Sequence, residues 1–391
     1  MRIAINGAGI AGPAFAHWMH RTGHDVTLIE QAAKFRTGGY LIDFWGLGYS
    51  IAQKMGIEKE VLAAGYRIKE LRSVRADGST SARLNVDPIR RMTEGRYTSV
   101  ARGDLAAAIY RTVEDDIETI YSDTITAIDD RADCVSVEFE HSAPRDFDLV
   151  IGADGLHSTV RRLAFGAESA SERYLGCHVA ACVIDGYRPR DELVYLTHNL
   201  PGRQVGRASL GDDRTMILFI FRAPTPRNPP DLESCKDLLR NEFAGGGWEC
   251  AEILEALDQA EDLYFDVVSQ IRLDRWTSGR VALIGDAAAC VSLLAGEGTG
   301  LAMVEAYVLA GELARAGGDL PQAFAAYEDR LRQFITQKQD SAIKFIPFFV
   351  ARSRPGIWFR NLGMRAMNLP IGNLVLTRAL RDDLDLPDYD L

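Results

Sequence analysis

Gly7-Ala8-Gly9-Ile10-Ala11-Gly12 stands between two short apolar runs, Arg2–Ile5 and Val26–Ile29, and the second run ends in Glu30. The pattern predicts strand, glycine turn, helix and strand, the βαβ unit that holds a dinucleotide. Gly7 makes the tight turn off the strand. Gly9 lets a pyrophosphate approach the backbone, and Gly12 lets the helix lie close to the sheet. The helix start at Ile10-Ala11-Gly12 offers free N–H groups and a positive dipole end. Glu30, followed by Gln31, stands where a carboxylate accepts hydrogen bonds from ribose hydroxyls. NAD, NADP and FAD all use this unit, so the stretch alone leaves the dinucleotide open.

A chain of 391 residues, 47% hydrophobic and 25% charged, has room for two or three domains with a sizeable core. Its net charge of −11 argues against general nucleic-acid binding. The six cysteines lack CxxC spacing and read as reduced thiols. No metal-ligand cluster is visible, and His17, His20 and His24 read as surface or helix-end residues of the first helix. The first strand starts at residue 2, which leaves no signal peptide, and no apolar run has transmembrane length. A cytoplasmic protein without membrane contact is expected, either a monomer or a homodimer.

Further along, Ser50–Gly65 reads as one helix and Asp104–Thr112 as another. Thr119–Ile128 and Cys134–His141 read as paired strands. From Tyr174 to Phe221 the pattern is β-rich. Helices follow at Leu232–Phe243 and Glu249–Ala256, then a strand over Tyr264–Arg272. A helix is predicted over Leu301–Arg315 and a second over Pro321–Thr336. Near the end, Phe345–Val350 is apolar and Trp358–Met367 is basic and amphipathic. This region reads as a helical cap or as an amphipathic surface for a membrane or partner. Pro347, Pro355 and Gly356 favour the cap because they interrupt a long helix.

Two later stretches match the opening unit: Asp148-Leu149-Val150-Ile151-Gly152-Ala153-Asp154-Gly155, and Arg280-Val281-Ala282-Leu283-Ile284-Gly285-Asp286-Ala287-Ala288 with Gly296-Glu297-Gly298-Thr299-Gly300. Each is a strand, then a turn carrying a carboxylate, then a helix. Open α/β sheets bind ligands at such strand ends.

With these three motifs in this order, the chain resembles the class A FAD-dependent monooxygenases, the p-hydroxybenzoate hydroxylase-like family that includes the tetracycline-modifying monooxygenases. The resemblance implies an α/β fold with a discontinuous Rossmann-like FAD-binding domain of the GR2 type. That domain would comprise residues 1–75, 99–173 and 273–340. A β-sheet substrate domain (76–98 and 174–272) and a C-terminal helical cap (341–391) complete the expected organisation. It implies that Gly7, Gly9, Ile10, Ala11, Gly12, Glu30 and Gln31 hold the ADP half of FAD. Arg36, Gly39, Arg102 and Leu105 would flank the cofactor. Asp154 and Gly155 would organise the region shared with the pyridine nucleotide. Gly285 and Asp286 would bind the flavin side chain, and Gly296, Gly298, Thr299 and Gly300 the ring's pyrimidine edge. No single acid or base is implied as catalytic; Asp286, Gly296 and Gly298 supply an electrostatic frame. NADPH or NADH would reduce the flavin transiently. Dioxygen would then give a C4a-hydroperoxide that inserts one oxygen atom into an aromatic or polycyclic small molecule.

The chain departs from the family pattern at Ala289, where the family has His, and at Leu293, where it has Pro. Other readings of single residues stay open. Arg36 and Arg102 could be surface arginines, Asp154 and Asp286 helix caps, and Arg161 the partner of an acid. Asp43, Trp45 and Leu293, with Tyr40, could line the ring and substrate space or pack in the core. Phe219 and Phe221 share one strand face and could wall an aromatic pocket or be core. Arg222 reads as solvent-facing and Cys290 as a buried thiol. Alternative functions are a flavin-dependent reductase or oxidase on this scaffold, or a non-catalytic FAD- or ligand-binding homologue.

Overall fold

The computed structural model describes residues 1–35, 40–166, 171–187, 191–211, 213–370, 372 and 383–391. Three well-separated chain segments build one six-stranded sheet. Its order is Thr277–Ser278, Val281–Leu283, Leu149–Gly152, Arg2–Asn6, Asp25–Glu30, Glu118–Tyr121. All neighbours run parallel except the first pair. Strands covered on both faces need continuous apolar runs. Ile3, Ile5, Leu149, Val150, Ile151, Ala282 and Leu283 are accordingly fully buried. Helices Ala11–Arg21, Arg102–Tyr110, Gly298–Arg315 and Leu320–Phe349 share one core with this sheet.

The expected strand Thr119–Ile128 is two strands. Glu118–Tyr121 joins the parallel sheet, and Ile125–Asp130 pairs with Val135–Phe139 in a small antiparallel sheet. The break has a local cause. Ser122 adopts φ +56°, and the Asp123 carboxylate accepts hydrogen bonds from the amides of Thr124, His141 and Ser142. Ser50–Gly65 likewise divides into Gly46–Lys54 and Glu58–Ala64, because Gly56 turns the chain at φ +77°.

A seven-stranded sheet forms the second layer, in the order Tyr264–Ile271, Glu172–Asp185, Arg214–Arg222, Arg203–Gly211, Val194–Leu200, Glu70–Val74, Thr80–Asn85. It takes in Glu70–Val74, so it begins ahead of residue 76. Successive side chains alternate between its faces. Phe219, Phe221 and Val205 point under helices Leu232–Phe243 and Cys250–Ala256. Met216, Leu218 and Ile220 take the opposite face. A two-stranded ribbon, Leu41–Trp45 with Tyr97–Ala101, runs close by.

Helix Leu320–Phe349 is longer than its sequence pattern suggested and passes unbroken through residue 340 and Pro347. Helix Arg354–Ala366 carries Pro355 in its first turn, where a missing N–H costs nothing. It lies along the edge strand Thr80–Asn85. Asn361 donates to the Ser81 hydroxyl (3.1 Å), Arg365 to the Ser81 carbonyl (3.0 Å), and Asn368 to the Arg83 carbonyl (2.6 Å). A strand edge with free backbone groups is thereby covered. The C-terminal tail reaches the other layer, where Tyr389 packs on Tyr307 and Asp388 pairs with Lys54. Among the described residues no helix is long and apolar enough to cross a membrane.

His17 is neither a surface nor a helix-end residue. It is 6% exposed, and its Nδ1 lies 2.9 Å from the Thr112 hydroxyl. Burial, then the charges of Arg21 and His20, lowers it to about 4 from 6.5. The unfolded chain therefore takes up a proton that the folded chain refuses. Stability present above about pH 6.5 should be lost as pH falls toward 4, by up to roughly 3 kcal/mol. Urea unfolding at stepped pH should show a shallower decline over that window for His17→Gln than for the native chain.

Candidate active site

Parallel pairing brings the three motif turns side by side at the carboxyl ends of neighbouring strands. The contacts between them are tight. A Cβ on Gly7 would sit 2.5 Å from the Ala153 carbonyl oxygen, and one on Gly12 would overlap the Gly7 carbonyl. Gly9 differs, because its nearest neighbour in that direction is the Arg102 guanidinium at 3.6 Å. The space over Gly9 opens into a cleft of about 300 Å³ lined by Ala8, Glu30, Gln31, Arg102, Asp154 and Gly155. Helix Ala11–Arg21 begins there at Ile10 with no side-chain cap. Free N–H groups, a positive dipole end and an arginine therefore face one small volume, as a pyrophosphate requires.

Glu30 braces the loop, accepting from the amides of Ala8 (2.9 Å) and Ala32 (2.8 Å), and still lines the cleft. Leu105 does not line it. The residue is fully buried in the core, and the helical rotation turns Ala106 to the cleft instead. Asp154 is taken up by the protein's own donors: Ser158 and Asn6 through side chains, Thr159 and Val160 through amides. Its hydrogen bonds are those of a turn and helix cap. Arg36 and Gly39 lie outside the described residues.

The third turn is held from within. Gly285 (φ +64°) donates its N–H to the Glu305 carboxylate at 2.6 Å. Glu305, 2% exposed, is also approached by the Tyr327 hydroxyl at 3.4 Å. Burial, opposed by the Gly285 N–H, pushes this carboxyl well above its usual range. Burial also raises the Asp286 carboxyl, while the Arg102 charge pulls it down. Arg161 reaches two backbone carbonyls. It is 1% exposed and donates to the carbonyls of Leu156 (2.6 Å) and Ala287 (3.1 Å), tying the second turn to the third.

Helix Gly298–Arg315 starts beside Asp286 without a side-chain cap. A Cβ on Gly298 would lie 3.7 Å from Asp286 Oδ1. Two residues on, the helix meets Gly46–Lys54 backbone to backbone, since a Cβ on Gly48 would lie 2.5 Å from Gly300 Cα. The loop around Ala289 and Leu293 is held by two buried amides. Gln270 donates to the carbonyls of Val291 and Gln339. Gln339 donates to those of Ile271 and Cys290. Sequence reasoning missed Glu305, Gln270 and Gln339. For Glu305 the available signal was a lone acid inside an apolar run, Leu301-Ala302-Met303-Val304-Glu305-Ala306; the two glutamines stand beside other polar residues and offered none.

On the side facing the seven-stranded sheet, Asp43 and Trp45 share a small cavity with Gly296 and Gly300. Asp43 accepts from Tyr97 (2.7 Å) and Ser99 (2.6 Å). Tyr40 packs on Tyr264 with ring centroids 5.2 Å apart, and burial pushes its hydroxyl up to about 12. Leu293, Leu218 and Tyr264 pack against one apolar cluster. Phe219 and Phe221 do not wall this space. They are fully buried on the far face of the sheet, against Phe243; Leu218 and Ile220, one residue out of phase, occupy the near face. Arg222 donates to the Val350 carbonyl (2.8 Å) rather than facing solvent. Cys290 is a buried thiol, raised first by burial and then by Asp286.

The fold and these turns define a flavin-binding oxidoreductase scaffold, and the likeness to known proteins agrees. The FAD binding domain family matches residues 1–342. A flavin-dependent monooxygenase of an unknown prokaryotic organism is 34% identical over 351 residues, 90% of either chain. The crystal structure of tetracycline destructase Tet(51) superposes with a TM-score of 0.84 at 30% identity, covering 99% of both chains. That of tetracycline destructase Tet(55) gives 0.82 at 33% identity, covering 99% of this chain and 98% of the other. The chain belongs to the FAD-binding monooxygenase family and is an FAD-dependent monooxygenase.

Substitutions at two positions probe the cradle. Glu305→Leu strands the buried Gly285 N–H, which costs about 1–3 kcal/mol and should raise the FAD dissociation constant roughly tenfold or more; Glu305→Gln keeps an acceptor and should stay within about threefold. Arg102→Ala removes a charge beside Gly9 and should weaken FAD by roughly 10- to 100-fold. Flavin-fluorescence titration of the deflavinated protein measures both.

Proposed function

We propose that this enzyme inserts one oxygen atom of O2 into an aromatic or polycyclic small molecule, in the cytoplasm, with NADPH or NADH as transient reductant. The substrate class is supported by Leu218, Leu293 and Tyr264, half-buried apolar side chains of one cluster that would form a wall, and by Asp43 and Trp45, which line a small cavity with Gly296 and Gly300. Such a wall suits a flat, hydrophobic molecule, with few polar groups to orient it. Two similar structures are named as tetracycline destructases, which makes a polycyclic molecule the first candidate.

In this reading Gly7–Gly12 and Glu30 would hold the ADP half of FAD, Gly9 and Arg102 its pyrophosphate, and Asp286 its ribityl chain. The bound cofactor supplies hydride acceptance and oxygen activation. The chain's own residues do the rest. The N-terminus of helix Gly298–Arg315 stabilises negative charge developing at the ring's pyrimidine edge. Leu218, Leu293 and Tyr264 exclude water and hold the substrate against the ring. No side chain needs to act as general acid or base. The reductant docks along the turn at Asp154 without a dinucleotide fold of its own.

The test is an NAD(P)H-oxidation screen of the FAD-loaded enzyme over aromatic and polycyclic compounds, tetracycline first, with product mass measurement. A substrate-stimulated rate and a product heavier by one oxygen atom are expected. Stimulated NAD(P)H oxidation with hydrogen peroxide and unchanged substrate across the panel would instead mark an oxidase. A stable NADPH complex with flavin-free protein would count against transient docking.

A further inference from the structure

The C-terminal segment is set apart by charge. Between Asp340 and Asp382 the chain has no Asp or Glu and seven Lys or Arg, in a protein whose net charge is −11. Within this basic stretch lies helix Arg354–Ala366, whose inner face is committed to the sheet edge. Met364 is 1% exposed, Asn361 bonds to Ser81, and Arg360 lies against the Phe348 ring and donates to the Phe348 carbonyl.

The outer face is uncovered. Trp358 is 59% exposed, Phe359 65%, Leu362 47%, and Leu369 just beyond the helix 61%. At 3.6 residues per turn, Arg354, Arg365, Trp358, Leu362 and Phe359 fall on one arc of roughly 140°, with the two arginines along one edge. Exposed Arg352 adds charge at the helix start. Contiguous aromatic and aliphatic side chains bordered by basic ones mark a surface that meets something apolar and anionic together. Among the described residues the patch offers no acid to pair with these arginines, so a two-fold contact with a second copy would bring like charges together without compensation.

We propose that this helix docks the enzyme peripherally on an anionic lipid bilayer, with Trp358, Phe359 and Leu362 in the interface and Arg352 and Arg354 against lipid phosphates.

The test is co-sedimentation of the FAD-loaded full chain with vesicles of phosphatidylcholine alone or with about 30% phosphatidylglycerol, in low salt. The bound fraction at fixed lipid should be roughly tenfold higher on the anionic vesicles, and should fall in about 0.5 M salt as charges are screened. The combined variant Trp358→Ser, Phe359→Ser, Leu362→Ser should lose binding while keeping FAD content and melting temperature. Should that variant fail to fold, Arg352→Glu with Arg354→Glu, at two exposed positions, should by itself abolish the preference for anionic vesicles. The proposal is overturned if the native chain does not pellet with anionic vesicles, or if the serine or glutamate variants pellet as it does. It is equally overturned if analytical ultracentrifugation without lipid finds a native dimer that the serine variant converts to monomer, since a second copy would then cover the patch.

Discussion

Parallel pairing of Arg2–Asn6 with Leu149–Gly152, and of Leu149–Gly152 with Val281–Leu283, is the constraint on which the site depends. Parallel neighbours end on the same side. Three turns far apart in the chain therefore open on one edge; the first two line one cleft, and the third lies beside the start of helix Gly298–Arg315. The tolerance is small. Gly7 touches Ala153, Gly12 touches Gly7, and Gly48 touches Gly300, each leaving no room for a Cβ. A larger residue at any of these positions would separate turns that must act together on one cofactor.

Backbone pairing brings the turns near one another, and buried polar groups then hold them in place. Glu305 anchors Gly285, Arg161 bridges the second and third turns, and Gln270 with Gln339 secures the loop that follows. Each is fully enclosed, where an unmade hydrogen bond is costly. That cost makes these groups specific, since each tolerates one arrangement of the backbone it contacts. The two glutamines hold the loop that carries Ala289 and Leu293, the two departures from the family pattern. Its backbone is thus supported by amides from a strand of the seven-stranded sheet and from the long helix.

The seven-stranded sheet divides its work by alternation. One face makes a core with the helices that cover it, and the other looks toward the flavin-binding layer. Phe219 and Phe221 are the larger, more conspicuous side chains, yet they serve the core, and the neighbouring Leu218 and Ile220 serve the interface. Period-two patterning identifies both faces. It cannot say which faces what, because both are apolar.

The sequence by itself determined the βαβ opening, the two later strand-turn motifs, the dinucleotide-binding α/β class and most element positions. Local spacing carries that information: apolar runs, glycines and acids at set offsets dictate strand, turn and helix whatever else surrounds them. Only the tertiary structure decided the roles of residues whose partners are remote in the chain. It committed Asp154 to its own helix start, turned Leu105 into the core and buried His17. It set Glu305 against Gly285, and it left Trp358 and Phe359 facing outward from a sheet edge. Those outcomes depend on which surfaces meet, and no local pattern encodes the far side of a contact.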